Sequence, residues 1–296
     1  MIQDNELAMH IQNKTILVTG ANGQLGNAIR TLALQYIDCT FHFTDIDTLD
    51  ILNKEQLSAF VQTNQIQYIV NCAAYTAVDK AEEDRETAMH VNSDAVHNIA
   101  EVAKASHAHV IHISTDYVFD GTESRPYRED DPTHPTSEYG KTKLAGETVL
   151  QQVCPESVII RTAWLYSEFG ANFVKTMLHL GAERTDLNVV SDQIGTPTYA
   201  GDLAVAIMAV IHHPTFMPGI YHYSNEGICS WYDFATKIME LAHLNCRIHP
   251  IPTEGYPTPA KRPAYSVLDK TKIKTTFKAQ VPYWEESLSK CITILK

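Results

Sequence analysis

The chain has 296 residues, a net charge of −12, and apolar and charged fractions of 44% and 20%. That length can bury a sizeable core as one large domain or two modest ones, with the ordinary composition of a globular enzyme. The acidic balance argues against nucleic acid as a partner and leaves any anionic ligand to be held by local donors.

Residues 15–19 (Thr-Ile-Leu-Val-Thr) form a short β-branched run that reads as a buried parallel strand. Gly20-Ala-Asn-Gly23-Gln-Leu-Gly26 follows, then an apolar-periodic segment carrying Leu25, Ala28, Ile29 and Leu32. Strand, glycine-rich turn and helix together make a dinucleotide site credible, because the glycines allow a tight turn, close approach to a pyrophosphate and close helix packing. The helix N-terminus then offers free N–H groups to the phosphates. A second strand at 40–44 ends at Asp45, 19 residues after Gly26. An acid near that interval meets the adenosine ribose hydroxyls and favours NADH over NADPH. A helix is expected at 54–62.

The next buried strand spans 67–74, and its small last residues Ala73 and Ala74 would let a cofactor approach, with Tyr75, Thr76 and Asp79 in the following loop. Residues 85–106 carry one long helical pattern, and the acidic run 82–84 reads as its solvated start. Strand 109–114 leads to Thr115, whose hydroxyl sits at the carboxyl end of the sheet and could bond a reacting carbonyl. After a polar loop, Tyr139 and Lys143 stand four residues apart, one helical turn, on the same face. A lysine ammonium there would lower the pKa of the phenol and make it a general acid near neutral pH. Strand 157–161 completes the alternation, which argues a doubly wound parallel α/β sheet.

Beyond residue 165 the pattern is irregular. A strand running into a polar loop (189–198), a helix (202–212), a strand (219–224), a helix capped by Ser230, a proline-rich loop (250–263) and a terminal helix (284–295) are expected. The division is a dinucleotide-binding domain at 14–165 and, at 166–296, mainly a smaller substrate-binding lobe over the carboxyl edge, with some segments returning to the sheet. Arg262 is a candidate for a nucleotide diphosphate, since a guanidinium can fork onto phosphate oxygens. The scattered histidines read as strand and loop residues, and Trp231 as packing at a helix start.

The six cysteines, among them Cys39 and Cys72, include no Cys-x-x-Cys pair. They read as reduced thiols of a cytoplasmic protein, with neither a zinc site nor a disulfide framework. No apolar run is long enough for a bilayer span, so no membrane partner is expected. The polar first fourteen residues lack a signal-peptide core, and the native start is either Met1 or Met9.

The glycine turn, Ser114-Thr115 and Tyr139-x-x-x-Lys143, in that order, resemble the extended short-chain dehydrogenases. Thr115-Asp-Tyr-Val-Phe-Asp-Gly121, Tyr139 to Glu147, Arg161-Thr-Ala-Trp164, Asp192 to Thr198, Asn71 to Asp79, and Arg262-Pro263 with Ser266 and Leu268-Asp269 look more closely like the dTDP-4-dehydrorhamnose reductases, over nearly the whole chain from Lys14. The resemblance implies a Rossmann-type fold and reduction of the C4 ketone of dTDP-4-dehydro-β-L-rhamnose by NADPH or NADH. Tyr139 would be the proton donor, Lys143 would hold the nicotinamide ribose, and Thr115 would bond the substrate oxygen. Asp116 and Trp164 match sugar contacts. Gly23, Gln24 and Leu25 match the pyrophosphate turn, Asp50 and Ile51 the adenine contact, and Ala74, Tyr75 and Thr76 the wall beside the nicotinamide.

Some members of that family pair through Mg²⁺ held by glutamates, one just after the glycine turn. Here Asn27-Ala28 stands at that point, so a metal-linked dimer is not expected and the chain would be a monomer or homodimer without metal. A 4,6-dehydratase would need a glutamate where Tyr117 stands. A 4-epimerase shares the Tyr/Lys pair and the turn and remains the alternative enzyme. A non-catalytic NADP-binding regulatory subunit is the alternative outside catalysis, although it would tolerate loss of the tyrosine or lysine.

Overall fold

The computed structural model describes residues 13–296, so the expectations about the leader and the start lie outside the described residues. Five strands alternate with helices: β1 Lys14–Thr19, α1 Gln24–Ala33, β2 Cys39–Phe43, α2 Lys54–Thr63, β3 Tyr68–Asn71, α3 Arg85–Met89, α4 Ala95–Ser106, β4 His109–Thr115, α5 Glu138–Val153 and β5 Val158–Thr162. The second half adds β6 Leu165–Tyr166, α6 Phe173–Glu183, β7 Asp186–Val190, β8 Ile194–Gly195, β9 Thr198–Tyr199, α7 Ala200–His212, β10 Gly219–His222, β11 Cys229–Ser230, α8 Trp231–Ala242, β12 Arg247–Ile251, α9 Thr271–Phe277 and α10 Trp284–Leu295.

The central sheet has the order β10-β5-β4-β3-β1-β2, and every pairing is parallel. Alternate side chains feed opposite faces, as the period of two requires. Ile16, Val18, Val70, Ile111, Val158 and Ile160 pack against α1, α7 and α9. Leu17, Ile69, Val110 and Ile159 pack against α2, α4 and α5. This is the doubly wound α/β sheet expected, its order reversing between β1 and β3. The crevice at such a switch point, at the carboxyl ends of the strands, is where α/β sheets bind ligands.

The second half contributes directly to this core. β10 extends the sheet beside β5, and α7 and α9 cover one face. A separate apolar cluster joins α6, α8, α10, β7 and β12. Ser230 caps α8 with a reciprocal capping box to Asp233. Helices α6 and α9 were not read from the sequence, and β12 takes Pro250 and Ile251 out of the expected proline-rich loop by pairing in parallel with β7.

The expected helix over 85–106 is continuous but interrupted by a π-helical turn at His90–Asp94. That turn delivers the fully buried Asn92, whose carboxamide accepts from the Tyr75 N–H at 2.9 Å and donates to the Tyr75 carbonyl at 3.1 Å and to Thr142 Oγ1 at 3.0 Å. The acidic run is also more than a solvated start, since Glu82 accepts from the Glu138 N–H and Asp84 from the Tyr75 hydroxyl.

Gly146 of α5 lies against the Asn92 backbone, and a Cβ there would fall inside van der Waals distance of the Asn92 carbonyl oxygen. Gly→Ala in a helix interior normally gains about 1 kcal/mol, whereas overpacking against backbone costs about 1–3 kcal/mol. Gly146→Ala should therefore lower stability by up to about 2 kcal/mol in urea unfolding. A midpoint at or above the parent's would mean that α5 can retreat from the π-turn freely.

Candidate active site

The glycine turn is shaped by backbone contact. Gly20 has φ +62°, and a Cβ there would lie 2.6 Å from the Ala73 nitrogen, so only glycine fits between β1 and the end of β3. Gly23 precedes α1 with no side-chain cap, and the Asn27 N–H bonds the Gly23 carbonyl. The earlier N–H groups of α1 therefore remain available to an anion. Asp45 steadies the turn, its two oxygens accepting from the Asn22 and Ile46 N–H groups at 2.9 Å each. The Gln24 side chain reaches into the second half, where Oε1 accepts from Ser167 Oγ and Asn172 Nδ2, both at 3.0 Å.

Ser137 caps α5, which presents Tyr139 and Lys143 toward the ends of β3 and β4. Lys143 is almost fully buried and donates to the Ile113 carbonyl at 2.8 Å. Burial pulls its ammonium down to about 8, partly opposed by the Glu147 carboxylate. Burial drives the Tyr139 phenol upward, with the Thr115 hydroxyl opposing. This corrects the sequence expectation that the lysine lowers the phenol's pKa. Desolvation dominates at the phenol, and the lysine is turned to a backbone carbonyl. The Tyr139 ring packs edge-on against Tyr117, with centroids 5.5 Å apart.

Thr115 ends β4, its hydroxyl donating to Asp116 Oδ1 at 2.9 Å and accepting from the Tyr117 N–H. Asp116 is buried, with Oδ2 unpartnered among the described residues, and burial raises its carboxyl to about 6. Trp164, at φ +48°, stacks on Trp231 with centroids 3.6 Å apart. Arg262 is engaged with Asp79 at 2.6 Å and with the Tyr117 hydroxyl at 3.0 Å.

These parts line one cleft of about 1940 Å³ at the carboxyl edge. Every candidate named from the sequence borders it except Tyr75, including Gly26, Asp50, Ile51, Ala74 and Thr76. Tyr75 turns away because Asn92 holds its backbone and Asp84 its hydroxyl. The sequence reading missed the cleft roles of Trp231, Gln193 and Asp79, and the buried Glu147–Arg161 pair behind α5. Gln193 and Asp79 lie inside motifs already singled out. Nothing local marks Trp231, whose partner is 67 positions earlier.

The family described as RmlD substrate binding domain matches residues 14–296. A dTDP-4-dehydrorhamnose reductase of Aggregatibacter actinomycetemcomitans is 42% identical over 283 residues, covering 92% of this chain and 96% of the relative. The crystal structure of a dTDP-4-dehydrorhamnose reductase from Clostridium acetobutylicum has TM-score 0.91 and 43% identity, covering 95% of this chain and 99% of that one. A dTDP-4-dehydrorhamnose reductase from Bacillus anthracis, solved in complex with NADP, has TM-score 0.91 and 39% identity over the same shares.

Asp116 gives the cleft a measurable pH signature. Its carboxyl holds a proton in the folded chain up to about 6, against 3.8 for the ordinary group. The stability it contributes is full below the unfolded value and is lost as pH rises through the folded one, by about 3 kcal/mol in all. Asp116→Asn should remove this loss, so the variant gains on the parent between about pH 4 and pH 7 in urea unfolding. Parallel stability profiles for the two chains would refute the assignment.

Proposed function

We propose a mechanism from one premise: the chain belongs to the RmlD substrate binding domain family. It is an NAD(P)H-dependent oxidoreductase that reduces the C4 ketone of dTDP-4-dehydro-β-L-rhamnose to dTDP-L-rhamnose. The observation that carries the assignment of roles is the single cleft in which the glycine turn meets Tyr139, Lys143 and Thr115.

The residues present fit a dinucleotide. Gly20 and Gly23 leave the backbone open beside the uncapped start of α1, and Gly23, Gln24, Leu25 and Gly26 would hold the pyrophosphate there. Asp45 would meet the adenosine ribose, Asp50 and Ile51 the adenine, and Ala74 and Thr76 the nicotinamide side. The bound nicotinamide supplies the hydride that adds to C4.

The chain's own residues orient the ketone and complete the alcohol. Tyr139 keeps its proton across the neutral range, as a donor must, and delivers it from Oη to the C4 oxygen. Thr115 Oγ1 bonds the same oxygen, exchanging its present bond to Asp116. Lys143 turns from the Ile113 carbonyl toward the nicotinamide ribose. Asp116 and Trp164 contact the sugar, with Trp231 backing the indole. Arg262 meets the diphosphate by exchanging Asp79 for phosphate oxygens. The six unpaired cysteines support a cytoplasmic setting, and the working unit is a monomer or homodimer. The first turn of α1 carries no carboxylate for a metal-linked dimer. Among the described residues no helix is long and apolar enough to cross a membrane.

Substrate-dependent loss of NADH or NADPH absorbance tests the reaction, and its absence from folded, cofactor-binding protein would overturn it. Tyr139→Phe should lower kcat about 10²–10⁴-fold while changing cofactor Kd little. Near-parental turnover would remove Tyr139 as the acid. Asp45→Ala should shift preference toward NADPH, read from the ratio of kcat/KM for the two cofactors. An unchanged ratio would leave Asp45 only the task of bracing the glycine turn.

A further inference from the structure

A second constellation lies at the other edge of the sheet. Cys39 is the first residue of β2, four residues and about 13 Å of strand from its last residue Phe43, beyond which Asp45 lines the cleft. His212 is the last residue of α7. The fold brings His212 Nε2 to 3.2 Å from Asp38 Oδ2 and 3.6 Å from Cys39 Sγ, while Sγ stands 3.8 Å from Asp38 Oδ1. One ligand atom from each residue lies within 4.8 Å of the others.

These spacings have a chemical meaning. Tetrahedral zinc with Zn–N about 2.05 Å and Zn–S about 2.3 Å sets its N and S ligands about 3.6 Å apart, and its N and O ligands about 3.3 Å apart. The His212–Cys39 and His212–Asp38 separations match these edges, while Sγ stands nearer the other oxygen of the Asp38 carboxylate. His212 is also prepared as a ligand, because its Nδ1 is 3.0 Å from the Met208 carbonyl. Donation there fixes the tautomer and directs the Nε2 lone pair at the cluster, the outer contact that metal-binding histidines habitually make. The Tyr36 ring packs on the imidazole at 5.0 Å and holds its plane. The Asp38 and His212 side chains are each 27% exposed, which gives an ion a path in.

We propose that Asp38, Cys39 and His212 form a binding site for Zn²⁺ or a similar borderline-soft divalent cation, clipping edge strand β2 to α7. Water completes the tetrahedron beside the three ligands found among the described residues. As the S–metal bond forms, the Cys39 thiol proton leaves to solvent and no electron is transferred. Lys14, Asp38, His212 and the phenols of Tyr36 and Tyr68 surround that thiol. Sequence spacing could not disclose the site, because its histidine is 173 positions from its cysteine. The clip would tie the sheet edge of the first half to a helix of the second.

Co²⁺ titration of the full, chelator-treated chain tests the site, because cobalt reports thiolate ligation optically. One equivalent should produce a thiolate-to-cobalt charge-transfer band with the strong visible bands of tetrahedral geometry, and Zn²⁺ should bleach both. Zn²⁺ at a hundredfold Kd should raise Tm by about 4–8 °C. Cys39→Ser and His212→Gln should lose the band and the Tm response. His249→Gln, which removes a histidine paired with Asp186, should keep them. Each variant's Tm in chelator establishes that it folds, and the conservative Cys39→Ser carries the test if His212→Gln does not. No charge-transfer band in the parent, or a band that survives Cys39→Ser, would reduce the cluster to a His212–Asp38 ion pair. Reductase turnover in chelator should match that with zinc, separating the clip from the cleft. A reductase lacking turnover altogether would leave the cobalt result readable.

Discussion

The cleft depends on one buried ion pair. Glu147 and Arg161 are 1% and 2% exposed, and the carboxylate takes a forked contact from the guanidinium at 2.9 and 2.7 Å. The Ser114 hydroxyl donates to the same carboxylate, while the other side of Arg161 reaches the Glu129 carbonyl and covers the Phe119 ring. Two charges this deep are stable only when their donors and acceptors are matched, and losing one partner costs about 3–5 kcal/mol. Tyr139, Lys143 and Glu147 follow at intervals of four on one face of α5. Anchoring Glu147 to β5 and to Ser114 therefore sets the height and rotation of the helix that carries Tyr139. Thr115 is bonded in sequence to the residue that Glu147 grips, so the Tyr139 phenol and the Thr115 hydroxyl share one anchor.

The cleft satisfies most of its polar groups internally. Asp45 is spent on the glycine turn, Arg262 on Asp79, Lys143 on a backbone carbonyl and Thr115 on Asp116. Each is an exchangeable partner for a group that a nucleotide sugar or a dinucleotide would bring. An acidic chain can thus bind anionic ligands, because the donors stand ready and the competing carboxylates are few and local. Asp116 is the exception, its second oxygen without a partner among the described residues and its carboxyl raised by burial.

How much of this was legible follows from where each signal lives. Strands β1, β3, β4 and β5 are continuous buried runs, and the glycine turn is a local spacing, so both were readable. The site candidates at strand ends followed from them, and all but Tyr75 reached the cleft. What escaped depends on distant partners. The π-turn at His90–Asp94 is stabilised by Asn92 reaching Tyr75 and Thr142, and that same contact turns Tyr75 away. Strand β12 exists because β7 offers an edge, although its Pro250 read as loop. The Tyr139 phenol rises because of burial, which spacing from Lys143 does not encode. The Tyr/Lys pair and glycine turn alone left a 4-epimerase open, and whole-chain similarity separates the reductase from it.

The two halves of the chain are coupled at the cofactor turn itself. Gln24 belongs to the pyrophosphate loop by sequence, yet its side chain binds Ser167, Asn172 and the Leu165 carbonyl from the second half. Asn172 in turn caps α6, and α6 packs on α8, whose first residue is Trp231. A continuous set of contacts therefore runs from the glycine turn to the stacked Trp164 and Trp231 across the cleft. Helix α7 closes the circuit from below, packed along α1 from the second half. Moving the second half against the first would break the Gln24 bonds, so the glycine turn and the cleft wall beyond it are held by contacts shared between both halves of the chain.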